Sequence, residues 1–372
     1  MTAPAPAPGA PASMITFDDG KGSISVNDRL RWEDRENNFD FDSSANAPTD
    51  GTWLLQRFRV GAAWKPESDL SLQVQLQDVR EWGSDRPKVP FIQGAEGNEP
   101  LNLHVASLTY GTPKDPFQFT VGRQVISLGE ERLVGPGEWN NFARVFDAGK
   151  LVWNMVPGKA TTTFFVSSVV NVEPTTSGAP WKLEHSNAND LFSGAYFSDK
   201  ATARDTFEAY LFWRDKTTND PIYTAPSAPI PVPARSAAAY DIAQDIYTMG
   251  GRYLRTPKPG TFDAEVELAT QWGHVNRQTT AATGPYAGTT PTLDQNAWAL
   301  HTLLGYMPLG APGKLRFDVE YNVASGDTNR NDNKNGSFMT LFPSGHKWYG
   351  FMDVISWKNL REAVATVRFN PT

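Results

Sequence analysis

The sequence predicts an all-β protein, a transmembrane antiparallel up-and-down β-barrel of about 14–18 strands. Three observations carry that expectation. Apolar and polar residues alternate with period two along nearly the whole chain, and helical spacing is scarce. Most alternating runs reach about ten residues or more, which suits a tilted strand crossing a bilayer better than the ~5–6-residue strands of soluble sheets. The connections switch between short turns and long polar loops, as in a barrel built from successive hairpins.

Composition agrees and removes the main rivals. The chain has 372 residues, with 34 Lys+Arg against 41 Asp+Glu, and 12 Trp, 11 Tyr and 21 Phe. That aromatic load fits bands at two membrane interfaces. No stretch approaches the ~18 apolar residues of a spanning helix, so a helical membrane protein is excluded. Cysteine is absent, which excludes disulfides, thiolate metal sites and a cysteine nucleophile. A soluble sandwich would show the same alternation, but strands this long would be unusual in one. No fixed repeat period points to a solenoid.

The chain opens with MTAPAPAPGAPASM, an uncharged Ala/Pro tract that cannot build a core, so residues 1–14 are expected to form a disordered tail. Residues 15–372 are expected to form the barrel. Ile24, Val26, Leu30 and Trp32 alternate with Ser25, Asn27, Arg29 and Arg31. Leu54, Phe58, Val60 and Trp64 then oppose Arg57, Arg59 and Gly61. Leu70, Leu72, Val74 and Leu76 alternate with Ser71, Gln73, Gln75 and Gln77, and Phe117, Phe119 and Val121 with Gln118, Thr120 and Gly122. Later, Phe262, Ala264, Val266 and Leu268 oppose Asp263, Glu265 and Glu267. Leu315, Phe317, Val319 and Tyr321 oppose Arg316, Asp318, Glu320 and Asn322. Further strands are predicted at 103–110, 145–153, 161–170, 191–197, 207–213, 246–254, 298–306 and 360–369.

Such a barrel is exported, yet the opening residues lack the basic start and apolar block of a secretory leader, so a leader is expected to have been removed. The last strand-like run is followed by Asn370-Pro371-Thr372 rather than closing on an aromatic residue, so further C-terminal strands are expected.

In a membrane barrel the apolar face meets lipid and the polar face lines the lumen. The polar faces here carry Gln, Asn, Gly, Arg and acids. Arg29, Arg31, Arg57 and Arg59 fall on two consecutive strands. Arg214, Arg252 and Arg316 take similar positions later, with Lys150 beside them. Glu208, Asp263, Glu265, Glu267, Asp318 and Glu320 share the later faces. The expected lumen therefore has a basic wall from early strands and an acidic wall from later ones. Guanidinium groups present a planar donor fork that fits a carboxylate, so a series of them would concentrate a carboxylate-bearing solute and let it move on. The alternative is that the arginines only pair with opposing acids to hold the barrel open.

Two segments carry a family resemblance. The first runs Val121-Gly122-Arg123-Gln124, through Leu128-Gly129 and Arg132-Leu133-Val134-Gly135, to Trp139-Asn140-Asn141, Arg144 and Phe146-Asp147. The second is Tyr321-Asn322-Val323-Ala324-Ser325-Gly326-Asp327, then Leu341-Phe342-Pro343-Ser344-Gly345-His346-Lys347-Trp348-Tyr349-Gly350-Phe351-Met352-Asp353. With the strand rhythm, these resemble the alginate-export family of bacterial outer-membrane proteins, from about Ser23 onward. The resemblance implies an eighteen-stranded barrel, outer-membrane lipid around it, and an arginine-rich constriction that passes a uronate polysaccharide. It carries Arg144 over as a constriction residue and implies periplasmic export proteins as partners. Strand phase aims Arg123 outward unless a bulge near Gly122 redirects it.

Other chemistry finds less support. Residues 325–336 place Asp327, Asn329 and Asn331 at alternate positions, as in calcium loops, but the bidentate Glu expected after the glycine is absent. Calcium there competes with a plain solvated loop; no other cofactor is expected. His104, His185, His274, His301 and His346 are scattered, without a nucleophile elbow or metal spacing, so no enzyme is expected. Basic clusters suited to nucleic acid are missing. The expected function is passive passage of an anionic uronate polysaccharide or oligosaccharide across the outer membrane. A general diffusion porin and a soluble carbohydrate-binding β-protein are the alternatives.

Overall fold

The structure, a computed structural model, describes residues 13–35, 51–83, 98–172, 183–217, 220–221, 240–241, 243–276, 292–329, 331–350 and 355–370. Residues 1–12, most of the long loops, and Phe351–Asp353 of the second family-like segment lie outside the described residues. The strands are β1 (Ser13–Phe17), β2 (Gly22–Arg35), β3 (Gly51–Trp64), β4 (Leu70–Trp82), β5 (Glu99–Tyr110), β6 (Phe117–Gln124), β7 (Phe146–Val156), β8 (Ala160–Asn171), β9 (His185–Asp199) and β10 (Asp205–Lys216). They continue as β11 (Asp220–Pro221), β12 (Tyr240–Asp241), β13 (Gln244–Arg255), β14 (Thr261–Asn276), β15 (Thr292–Met307), β16 (Arg316–Ala324), β17 (Lys334–Asn335) and β18 (Leu360–Arg368). One turn of helix, α1 (His346–Tyr349), follows β17.

One 16-stranded sheet holds all but β11 and β12, which pair with each other. Along its main path each strand lies antiparallel to the next one in sequence, except that β10 pairs with β13 and β16 with β18, and β17 attaches in parallel to β15. β1 and β18 form the two sheet edges. This is the up-and-down architecture read from the alternation. The strand β1 begins at Ser13, two residues inside the stretch expected to be tail. The Asp18–Lys21 turn folds it back onto β2, where Phe17 pairs with Gly22.

Exposure fixes which face is which. Leu30, Trp32, Val74, Phe119, Val266, Leu268 and Val319 are exposed, while the residues of the opposite phase are mostly buried or half-buried, among them Arg57 at 2 %, Gln77 at 1 % and Glu265 at 0 %. Gln75 is half-buried, and only Gln73, nearer the turn end of β4, is open. A water-soluble sheet would show the reverse pattern. Outward aromatics mark both rims: Trp32, Trp82, Trp272 and Trp298 near the long loops, and Trp64, Phe117, Trp153, Phe262 and Tyr306 near the short turns. Phe262 and Trp272 are 272 − 262 = 10 residues apart on β14, about 33 Å along a strand at ~3.3 Å per residue. Tilted by ~40°, that spans the ~25 Å apolar band of an outer-membrane barrel.

The interior holds more than the basic and acidic walls expected of the lumen. Two chain segments fold inward as a plug: 125–145, between β6 and β7, and 338–349, after β17. They are tied together by backbone hydrogen bonds, with Phe342 N donating to Leu133 O (2.8 Å), Gly135 N to Phe342 O (2.7 Å) and Ser344 N to Glu131 O (2.9 Å). Ile126, Leu133, Val134, Leu341 and Phe342 then pack against Phe146, Phe165, Phe192, Phe212 and Ile246 from the inner face of the sheet. Phe342 meets Phe192 at 4.9 Å and Phe146 at 5.3 Å between ring centroids. On β7–β10 the inner face is thus largely apolar, because it faces the plug's side chains and not water. Each large side chain fully buried there contributes ~1.5–3 kcal/mol.

No bulge marks Gly122: the pairing runs on without a register shift, Ala106 with Arg123 and Arg123 with Asp147. Gly122 adopts φ +109°, and a Cβ there would lie 2.3 Å from Ala106 O, so only glycine fits. Arg123 is buried, bonded to Asp147 (2.9 Å from both Nε and Nη2) and to Leu103 O (3.0 Å), instead of standing out toward lipid.

An arginine placed on the lipid face should be costly in proportion to depth. Val266→Arg, near the middle of the apolar band, is expected to lower stability by ~2–4 kcal/mol, measured by denaturant unfolding in lipid vesicles.

Candidate functional site

β2 and β3 set four arginines on one inner wall. Arg29 and Arg57 are direct cross-strand partners, and Arg31 and Arg59 lie two residues on along their own strands. Like charges placed opposite each other repel, so this cluster needs acceptors. The plug supplies them through Glu138 to Asn141. Arg29 donates to Glu138 O (2.7 Å), Trp139 O (3.0 Å) and Asn141 Oδ1 (3.1 Å). Arg31 donates to Trp139 O, and its guanidinium lies 4.3 Å from that indole. Arg57 and Arg59 both hold the Glu138 carboxylate, at 2.8 and 3.1 Å. Burial pushes the Glu138 carboxyl up, but Arg59 and Arg57 pull it down further, so it stays below the usual carboxylate range.

The opposite wall pairs acids with arginines of its own. Arg252 bonds Glu208 (2.5 Å) and Glu265 (3.1 Å) and reaches Glu130 of the plug (3.6 Å). Arg316 bonds Asp263 and Asp318, each at 2.5 Å. Glu320 lies near Arg132 of the plug (3.6 Å) and His301 (3.4 Å), while Tyr210 donates to Glu267 (3.0 Å). The plug therefore touches β2–β3 with carbonyls and a carboxylate, and β13–β16 with Arg132 and Glu130, so the sheet wraps around it.

The remaining sequence-predicted residues fall outside the four-arginine wall. Arg144 lies within the plug, donates to Gly135 O (2.8 Å) and faces the Phe342 ring. Burial first, then Arg214, lowers its pKa to about 10, still charged at neutral pH. Lys150 shares the inward phase of β7 with Phe146 and Ala148 and is half-buried. In the loop after β16, Asn329 N donates to Asp327 Oδ1 and Asn331 N to Asn329 Oδ1, so these side chains cap their own backbone. No group of three or more His, Asp or Glu among the described residues has metal-holding geometry.

Sequence reasoning did not single out Glu138 or the stacking of Trp139 on His346 (3.8 Å, 7° between planes). Glu138 sits between Gly135 and Trp139 of the first family-like segment, which was the available signal. A second cluster closes the wall where the chain leaves β6 for the plug. Arg123 holds Asp147 and the carbonyl of Glu184, and Glu184 N donates to Asn102 Oδ1 (3.0 Å). Burial, then the hydrogen-bonded carboxyl of Glu99, pushes Glu184 up to about 9.

The alginate export family model matches residues 24–372. No curated protein matches the chain. Among solved structures, OmpT of Vibrio cholerae is 9 % identical, over 89 % of this chain and 96 % of its own, with a TM-score of 0.35. Pseudomonas aeruginosa OpdK, solved with vanillate, is 11 % identical over 85 % and 84 %, TM-score 0.39. Pseudomonas putida OprB is 10 % identical over 82 % and 89 %, TM-score 0.38.

An acid whose folded-state pKa lies above its unfolded value, here about 9 against 4.5, contributes stability that is complete below the lower value and lost as pH rises toward the higher. Denaturant unfolding is expected to show stability declining from about pH 5 to pH 9, and Glu184→Gln should remove most of that slope. An unchanged slope in the variant would refute the raised pKa of Glu184.

Proposed function

We propose, for a chain that belongs to the alginate export family, that its outer-membrane channel passes a uronate polysaccharide or its oligomers by way of the β2–β3 arginine wall. The protein is an outer-membrane channel; the substrate and the path are the proposal. The observation that carries it is the cluster of Arg29, Arg31, Arg57 and Arg59, four cations on two adjacent strands facing one lumenal segment. Carboxylates repeated along a polymer suit such a wall, because each guanidinium offers a planar donor pair. The excess of acids on β14 and β16 disfavours the same polymer and confines it to the basic side. Passage needs only weak serial contacts, so no reaction is part of this reading. Periplasmic export proteins are the partners it calls for.

Planar-bilayer conductance with oligogalacturonate tests the proposal. The oligomer should block current, and Arg57→Ala/Arg59→Ala should raise the blocking concentration about tenfold or more, given ~1.5–3 kcal/mol for a hydrogen bond to a charged group. Weakly selective current that the oligomer never blocks would instead support a general diffusion porin.

A further inference from the structure

The basic wall already holds a carboxylate, and it belongs to the chain. Glu138 Oε2 lies 2.8 Å from Arg57 Nη1 and 3.1 Å from Arg59 Nη1, and Oε1 lies 3.2 Å from the latter. Each guanidinium gives this carboxylate a single nitrogen. Arg57 Nε and Arg59 Nη2 are buried and make no hydrogen bond among the described residues. One tethered charge therefore serves two guanidiniums without the paired geometry that Arg offers a carboxylate. The Glu138 side chain also keeps 26 % of its surface exposed, against 3 % and 10 % for its two partners. It is the accessible member of the cluster.

We infer that Glu138 is a tethered competitor for the carboxylate site of Arg57 and Arg59, and that an incoming uronate carboxylate takes the site by displacing it. The inference rests on the proposed function and adds the device that sets the threshold for entry. Without substrate, the single charge of Glu138 offsets part of the repulsion between adjacent guanidiniums. With substrate, the carboxylate of the sugar satisfies the same two guanidiniums, and Glu138 swings into the lumen through the side on which it is already exposed. A tethered group competes at an effective concentration near the millimolar range, so a polymer with carboxylates in series displaces it more readily than a lone small acid does.

The test is block of single-channel current by oligogalacturonate in the full chain. Glu138→Gln keeps the side-chain shape and removes the charge. It should be blocked at about tenfold lower concentration than the parent, equal to ~1.4 kcal/mol of competition removed. In the Arg57→Ala/Arg59→Ala background the same substitution should change nothing. Block of the parent and of Glu138→Gln at equal concentration overturns the inference and leaves the proposed function standing. Absence of block in both overturns the proposed function itself. If Glu138→Gln does not refold, Glu138→Asp decides, since its shorter reach weakens the competitor while keeping the charge. A blocking concentration below the parent's supports the exchange, and one equal to or above it refutes it.

Discussion

Hydrocarbon offers no water to a backbone N–H or C=O, so every such group crossing the band must be bonded within the sheet. Long strands, each beside its sequence neighbour, follow from that constraint. So does the division of side chains: with one face committed to lipid, every polar group in the band must point inward or be paired where it stands. Asp78 and Arg80 show the second solution. They lie on the outward phase of β4, below Trp82, and bond each other at 2.6 Å. Arg57, Gln77 and Glu265 show the first.

Turning polar residues inward creates its own difficulty, because a buried charge is costly unless it is paired and hydrogen-bonded. The plug meets three different walls with three different chemistries. Its carbonyls and Glu138 meet the arginines of β2 and β3. Its Leu133, Val134 and Phe342 meet the phenylalanines of β7–β10. Its Arg132, stacked 4.0 Å from Trp348, meets His301 and Glu320. Arginine suits the first wall better than lysine, because Arg29 spreads two nitrogens over four successive residues of the plug, Glu138 to Asn141.

Period two made the strands legible, since a half-lipid, half-lumen strand has to alternate. The direction of each face followed from strand length and from the kinds of polar residue present. The apolar interior was harder to see. Phe164-Phe165-Val166, Leu191-Phe192 and Leu211-Phe212-Trp213 break the alternation, and Phe165, Phe192 and Phe212 are the residues that meet the plug. Consecutive apolar residues are ambiguous in a sequence, because a buried strand and a misjudged boundary look alike. The four arginines were readable as one face. Their partner was not, because Glu138 lies some eighty residues from Arg57 in sequence, and period two carries no information about an inserted loop.

The two segments that carry the family resemblance are far apart in the chain and meet in the plug. Gly135 N bonds Phe342 O, Gly137 N bonds Ser344 Oγ (3.1 Å), and Trp139 stacks on His346. A Cβ at Gly135 would lie 2.4 Å from Ser344 Oγ and 2.6 Å from Glu131 Cβ, so the close approach of the segments requires glycine there. Strand residues facing lipid can be exchanged for others of similar hydrophobicity, but an insertion held by backbone approach, stacking and cation–π contact tolerates few alternatives. A resemblance concentrated in the plug therefore tracks the part of the molecule packed against the inner face of the sheet. It is also the part that carries Glu138 to the arginines, and the 338–349 segment holds it on both sides of Glu138, at Gly135 and Gly137 before it and at Trp139 after it.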